Sequence, residues 1–249
     1  MKINAFIPVR MSSSRFPGKP LIKLLDITML EHVWRRTIMS DVDETYIALC
    51  DKETEEVCKK IGAKYVITSK KHQMCMDRIA EASDKKKSNI IVTVQGDEPL
   101  INPNMINLTI KNILKKEDKL FCTTLAQKIT SNSEINNSNR VKIIWNNKKH
   151  VIYISREAIP SNAKFKDKID YYKMVCVYTM SKKNLNKFQN FGISKNEKIE
   201  SIDMLRILDN DKKLGVNIIN GKVENIDVKA DIPKVIKLLK KDSFLKKYT

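Results

Sequence analysis

The chain has 249 residues, 42% of them apolar, which is enough for one α/β domain of ordinary size with a real core. No window approaches the ~20 apolar residues of a membrane span, and the chain opens directly into a strand without the pattern of a signal peptide. The formal charge of +18 raises nucleic acid as a partner, but the cations are spread along the whole chain and the 6% of aromatic residues form no stacking platform, so nucleic acid is not expected as the main partner.

In chain order, strand-like and helix-like segments alternate as in βαβ units. Residues 3–8 read as a short buried strand. Residues 28–39 carry apolar positions on one helical face, at Met29, Leu30, Val33, Trp34 and Ile38. A strand is expected over 45–50, a helix over 52–61 stopped by Gly62, a strand over 63–68 and a helix over 77–83. The run 89–94 (NIIVTV) reads as a strongly buried strand that ends in Gln95-Gly96-Asp97-Glu98-Pro99, and 104–114 as a helix. The second half is less regular. Strands are expected over 121–127, 172–180 and 214–219, and a hairpin from 141–145 to 150–154 around Asn146-Asn147-Lys148-Lys149. Residues 129–138 and 161–170 read as polar loops. Helices are expected over 181–188, 199–208 and 230–240. The pattern gives a single α/β domain over residues 1–249, with a mainly parallel sheet between helices and a mixed extension in the second half. The five cysteines are scattered and form no C-x-x-C pair, which suits reduced thiols in the cytoplasm.

Two regions carry chemistry. The loop after the first strand, VRMSSSRFPGKPL, places Arg10, Arg15 and Lys19 among hydroxyls and free backbone N–H groups, at the strand end where α/β sheets bind ligands. That suits a polyphosphate, although neither G-x-x-x-x-G-K-[ST] nor G-x-G-x-x-G is present; a solvated basic loop is the alternative. The second region is acidic. Asp97 follows the strand NIIVTV, and Asp227 follows a short apolar segment in NIDVKAD. Two carboxylates meeting at the ligand edge would suit Mg²⁺, which takes carboxylate and phosphate oxygens. Each is otherwise a turn or cap residue. His32, His72 and His150 share no metal-like spacing and read as surface or packing residues.

Taken together, SSSRFPGKPL, KHQMCMDRIAEA, VQGDEPLI, NRVKII, ISREAIP, NEKIESIDMLRIL and NIDVKAD follow one another through nearly the whole chain. In this order they resemble the 3-deoxy-manno-octulosonate (KDO) cytidylyltransferases, the CMP-KDO synthetases of lipopolysaccharide biosynthesis. The resemblance implies a nucleotidyltransferase-type, Rossmann-like three-layer α/β fold, a homodimer, and transfer of CMP from CTP to the anomeric hydroxyl of a 2-keto-3-deoxy sugar acid with Mg²⁺. It implies that Arg10, Ser13, Arg15 and Lys19 hold the triphosphate and that Asp97 and Asp227 are metal ligands. Lys19, Asp97 and Asp227 become the catalytic set. Arg78 and Gln95 would line the nucleotide site, and Gln95 the sugar site as well. Arg156 would reach the acidic acceptor, and Glu200 lies in the segment that closes its pocket.

The chain also departs from that family. Met74-Cys75-Met76 stands where the family usually has Ser-Gly-Thr, and Met174-Val175-Cys176 where it has a His and a Gly. Ile202-Asp203-Met204-Leu205-Arg206 replaces its LEQLR segment. Met74 and Met174 therefore count among the acceptor-binding candidates, and two readings stay open. Either the thioethers face the substrate and the acceptor is an altered acid, such as an amino-sugar acid or a phosphonate, or they pack in the core and the acceptor is KDO itself. A sugar-1-phosphate nucleotidyltransferase and a non-catalytic nucleic-acid-binding relative are the remaining alternatives.

Overall fold

A computed structural model describes residues 1–12, 16–115, 119–165 and 167–249. The backbone divides into two compact units, residues 1–108 with 223–249, and residues 109–222.

The first unit begins with β1 (Ile3–Pro8), followed by a small hairpin of β2 (Lys23–Leu24) and β3 (Ile27–Thr28), then α1 (Met29–Thr37), β4 (Glu44–Leu49), α2 (Lys52–Ile61), β5 (Tyr65–Ile67), α3 (Cys75–Asp84) and β6 (Ile90–Val94). β6, β1, β4 and β5 lie side by side in that order, all parallel. Helices α1, α2 and α3 pack against β1 and β4. β1, β4 and β6 are buried on both faces, hence their largely apolar sequences, whereas β5 at the edge is partly exposed. Successive connections from β1 run toward β5, whereas β6 lies on the other side of β1. The order reverses between β1 and β6, and the crevice beyond their carboxyl ends is where such sheets bind ligands. Local signals set the boundaries: Thr28 Oγ1 caps α1 by accepting from the Glu31 N–H, and Gly62, at φ +71°, ends α2.

The helix α4 (Pro103–Lys115) leads into the second unit: β7 (Cys122–Lys128), α5 (Asn132–Ile135), β8 (Lys142–Trp145), β9 (Val151–Ser155), β10 (Tyr172–Ser181), α6 (Lys182–Asn190), α7 (Lys195–Glu200), α8 (Leu205–Leu208) and β11 (Leu214–Ile219). β11 runs parallel to β7, β7 antiparallel to β10, and the β8–β9 hairpin joins β10 at Lys142 opposite Lys173. This is the mixed extension that the sequence leads one to expect. The chain ends with α9 (Ile232–Leu239), back in the first unit.

Three elements differ from the sequence reading. The polar stretch 129–138 contains α5, a single turn with no buried residue and so no periodic signal. The segment 199–208 is not one helix. It breaks between α7 and α8 at Ser201, whose φ of +53° ends α7, and α7 begins earlier because Ser194 and Glu197 form a capping box. The β2–β3 hairpin was not expected, since two-residue strands are too short to show alternation.

Candidate active site

The site in the first unit grows out of the two loops that follow β1 and β6. After β1, the chain turns at Arg10 and Met11. The Met11 N–H donates to Asp51 Oδ2 (2.9 Å), and the Gly18 N–H donates back to the Met11 carbonyl (3.0 Å), which closes the loop. Gly18 has φ +74°, a conformation that favours glycine, and it starts the single helical turn Lys19–Leu21. That turn brings the Lys19 ammonium to Asp97 Oδ2 at 2.7 Å and to the Ile226 carbonyl at 2.8 Å. After β6, Gly96 is needed for close approach: a Cβ there would lie 2.9 Å from both the Pro8 carbonyl oxygen and Val9 Cγ1. The ends of β1 and β6 touch because this position has no side chain.

Asp97 is tied to the C-terminal segment through its backbone, its carbonyl accepting the Ile226 N–H (3.1 Å). Asp227 follows at once and is buried; Asn225 Nδ2 donates to its Oδ2 (2.5 Å), and the backbone N–H groups of Asp227 and Val228 are held by Asp231 Oδ2 at 2.8 and 3.0 Å. Lys19, Asp97 and the segment carrying Asp227 are thus one bonded cluster. Burial is partial, 13% exposure for the Lys19 side chain and 26% for Asp97, so the ion pair is neither fully screened nor fully desolvated.

Beside this cluster lies a cavity of about 210 Å³. Arg10, Lys19, Asp97, His72, Met74, Cys75 and Arg78 line it, with Gln95 and Gly96 following the end of β6. Among the described residues, the Arg10 guanidinium has no carboxylate partner. Arg78 is almost wholly buried, with Nη1 on Thr68 Oγ1 at 2.5 Å. It neighbours Cys50, whose thiol burial pushes up while the guanidinium acts in the opposite sense. Gln95 Nε2 donates to the Cys75 thiol (2.7 Å). The two methionines of Met74-Cys75-Met76 part company: Met74 lines the cavity, whereas Met76 is fully buried with Thr93 Oγ1 on its sulfur at 3.8 Å. Ser13 and Arg15 lie outside the described residues.

Arg156, Glu200 and Met174 belong to the second unit. Glu200 accepts the Ser155 hydroxyl (2.7 Å) and the Arg156 backbone N–H (2.9 Å). The Arg156 guanidinium donates to three carbonyls, those of Ser138 (2.9 Å), Glu200 (2.6 Å) and Ser201 (3.2 Å). Among the described residues, its other two N–H groups take no protein partner. Beneath it the buried Lys142 ammonium donates to the carbonyls of Asn137 and Arg156; burial pulls its pKa down. Met174 is nearly buried in β10, opposite Ala126. None of these three residues lines the larger hollow of about 580 Å³ in that unit.

His72, read from the sequence as a surface or packing residue, was not among the candidate site residues. It lines the cavity, and its Nε2 lies 2.6 Å from Glu81 Oε2. The spacing of nine residues has no local periodicity to reveal it, though both lie in the matching stretch KHQMCMDRIAEA.

The family model described as cytidylyltransferase matches residues 4–214. A 3-deoxy-manno-octulosonate cytidylyltransferase from Fusobacterium nucleatum is 32% identical over 244 residues, covering 98% of this chain and 99% of that protein. One from Leptospira interrogans is 33% identical over 246 residues, covering 98% of each. Among solved structures, the CMP:2-keto-3-deoxy-manno-octonic acid synthetase complexed with CTP matches with a TM-score of 0.89 at 28% identity, covering 97% of this chain and 99% of that one. With the family pattern running through nearly its whole length, this chain belongs to the cytidylyltransferases.

Proposed function

We propose that the protein transfers CMP from CTP to the anomeric hydroxyl of 3-deoxy-manno-octulosonate and releases pyrophosphate. The observation that carries this reading is the cluster of Lys19, Asp97 and the Asp227 segment at the switch point between β1 and β6. There the acceptor hydroxyl attacks the α-phosphorus in line, its oxygen forms the new P–O bond as its proton is given up to water, and the bond to the pyrophosphate oxygen breaks. Lys19 and Arg10, which has no carboxylate partner among the described residues, offset the charge of the triphosphate and of the leaving pyrophosphate. Ser13 and Arg15, in the same loop, are assigned to the triphosphate too, and Arg78 and Gln95 to the nucleotide wall. Holding the reactants in line and neutralising charge supply most of the rate.

Asp97 and Asp227 fit Mg²⁺: both are hard oxygen donors, and two carboxylates are the usual protein share for an ion that also takes phosphate oxygens and water. Bound there, Mg²⁺ would neutralise the triphosphate and polarise the reacting phosphorus. In the second unit, the two unspent N–H groups of Arg156 suit the carboxylate of the acceptor, and Glu200 keeps that arginine in place. We further propose a cytoplasmic homodimer, which light scattering would read as about twice 28.8 kDa. Among the described residues no helix is long and apolar enough to cross a membrane.

Pyrophosphate release tests the reaction. The purified protein with Mg²⁺ and KDO is expected to turn over CTP at an enzymatic rate, roughly 1–10³ s⁻¹, and to turn over UTP and GTP poorly. A second reading, an altered acid as acceptor, is favoured by Met74 in the cavity wall. A thioether leaves a facing hydroxyl unpaired at about 1–3 kcal/mol. Turnover with an amino-sugar acid or a phosphonate but not with KDO would establish that reading instead.

A further inference from the structure

The cavity beside Lys19 is lined by groups of two chemical kinds. Arg10, Lys19 and Asp97 are charged and suit phosphates and metal. Next to the buried Arg78, the residues His72, Gln73, Met74 and Cys75 add uncharged hydrogen-bonding and apolar groups, which suit a flat heterocycle rather than a phosphate. Among the described lining residues His72 carries the one aromatic ring, and it is held fast. Glu81, on α3, accepts from the Ser69 N–H (2.8 Å), from Lys85 Nζ (2.8 Å) and from His72 Nε2 (2.6 Å). Burial opposes ionisation of Glu81, but Lys85, the Ser69 N–H and the His72 ring outweigh it and bring its pKa to about 2. A carboxylate has no proton to donate, so the ring proton facing it sits on Nε2. In the neutral ring Nδ1 is then an acceptor, and among the described residues it has no hydrogen-bond partner.

We propose that Glu81 fixes the tautomer and orientation of His72 so that its Nδ1 accepts a hydrogen bond from the exocyclic amine of cytosine, which makes His72 the residue that selects CTP over UTP. This rests on the nucleotide reading of the cavity given above. Uracil carries a carbonyl where cytosine carries the amine, so the same ring would set acceptor against acceptor. His72 is a specificity residue that touches substrate; Glu81 is a positioning residue that acts through it.

Calorimetric titration of CTP and UTP into the full-length protein tests the assignment. The wild type is expected to prefer CTP. In His72→Phe the affinity for CTP falls about tenfold and that for UTP changes little, since one hydrogen bond to a buried group is lost. His72→Asn, which keeps an acceptor on a short side chain, recovers part of the preference. Glu81→Gln gives an intermediate loss, because a neutral amide no longer dictates which nitrogen holds the proton. In turnover, these changes enter KM for CTP far more than kcat. A His72→Phe protein that folds and binds CTP as the wild type does, or that loses CTP and UTP equally, overturns the proposal, as does a wild type that binds both nucleotides alike or neither. Preference for CTP that depends on His72, without pyrophosphate release on KDO, would leave this assignment standing and overturn the acceptor reading instead.

Discussion

Lys19 is held from two sides, by the Asp97 carboxylate and by the Ile226 carbonyl, and this makes its replacement informative. In Lys19→Met both partners keep their polarity and lose their donor. Pyrophosphate release is expected to fall by about 10²–10³, the cost of removing one charge-stabilising group from a site of this kind, while the protein still melts cooperatively. Asp227 calls for a different measurement. Its neighbours Asn225 and Asp231 hold it and its backbone, so Asp227→Asn should keep the turn in place. The Mg²⁺ concentration for half-maximal activity is then expected to rise about tenfold or more, with activity partly restored at high Mg²⁺. An unchanged Mg²⁺ requirement would remove Asp227 from the metal site. At this scale the sequence was informative about type and poor about contact. The carboxylates and cations could be picked out because they sit at strand ends, where ligands bind. That Lys19 reaches a carbonyl 207 residues away, or that His72 leans on Glu81, depends on chain crossings that no local pattern encodes.

The elements were legible where their own residues decide them. α2 begins and ends where its pattern and Gly62 place it, and β11 occupies 214–219 as read. The segment after α6 was misread because a tertiary contact decides it. Arg206, in α8, donates through Nε and Nη2 to both oxygens of Glu197, in α7, at 2.8 and 2.7 Å. The pair is wholly buried, and the guanidinium lies 4.2 Å from the centroid of the Phe188 ring. Bringing α8 back onto α7 requires the left-handed turn at Ser201, and a helix running straight through would carry Arg206 away from its partner. Arg206→Met is therefore expected to destabilise the protein by about 3–5 kcal/mol, since it strands a buried carboxylate. Equilibrium urea unfolding would measure this. Adding Glu197→Leu should recover a large part of the loss, because it removes the stranded charge, even though it also removes half of the capping box at Ser194. If the double variant is no more stable than Arg206→Met alone, the stranded Glu197 charge does not account for the loss.

At the scale of the whole molecule, the C-terminal segment is anchored to α1 through a buried histidine whose hold on a proton burial weakens. Tyr248, next to the last residue, places its hydroxyl 2.8 Å from His32 Nδ1 and 2.9 Å from Arg36 Nε, and Arg36 also reaches Asp242 at 3.0 Å. His32 is fully buried, with Nε2 2.8 Å from the Leu24 carbonyl. Burial lowers its pKa from the ordinary value of 6.5; the Leu24 carbonyl and Glu31 act against that, and Arg36 and Arg35 with it. The folded state thus binds this proton less readily than the unfolded chain does. Above pH 6.5 the ring is neutral in both states and contributes no slope. As pH falls through 6.5, the unfolded chain takes up the proton first, and stability declines by up to about 1.4 kcal/mol per pH unit until the lowered folded value is reached. The carboxylates with depressed pKa act lower down. Glu44, pulled to about 2 by Lys2 and Lys64, and Glu81, also at about 2, lose their contribution only as pH drops below about 4.5. Denaturation between pH 5 and 8 therefore lies clear of these carboxylates. The wild type should lose stability below pH 6.5, and His32→Gln, less stable at pH 8, should show a shallower decline over the same window. Equal slopes in the two proteins would mean that the acid sensitivity comes from elsewhere and that the His32–Tyr248 anchor survives protonation.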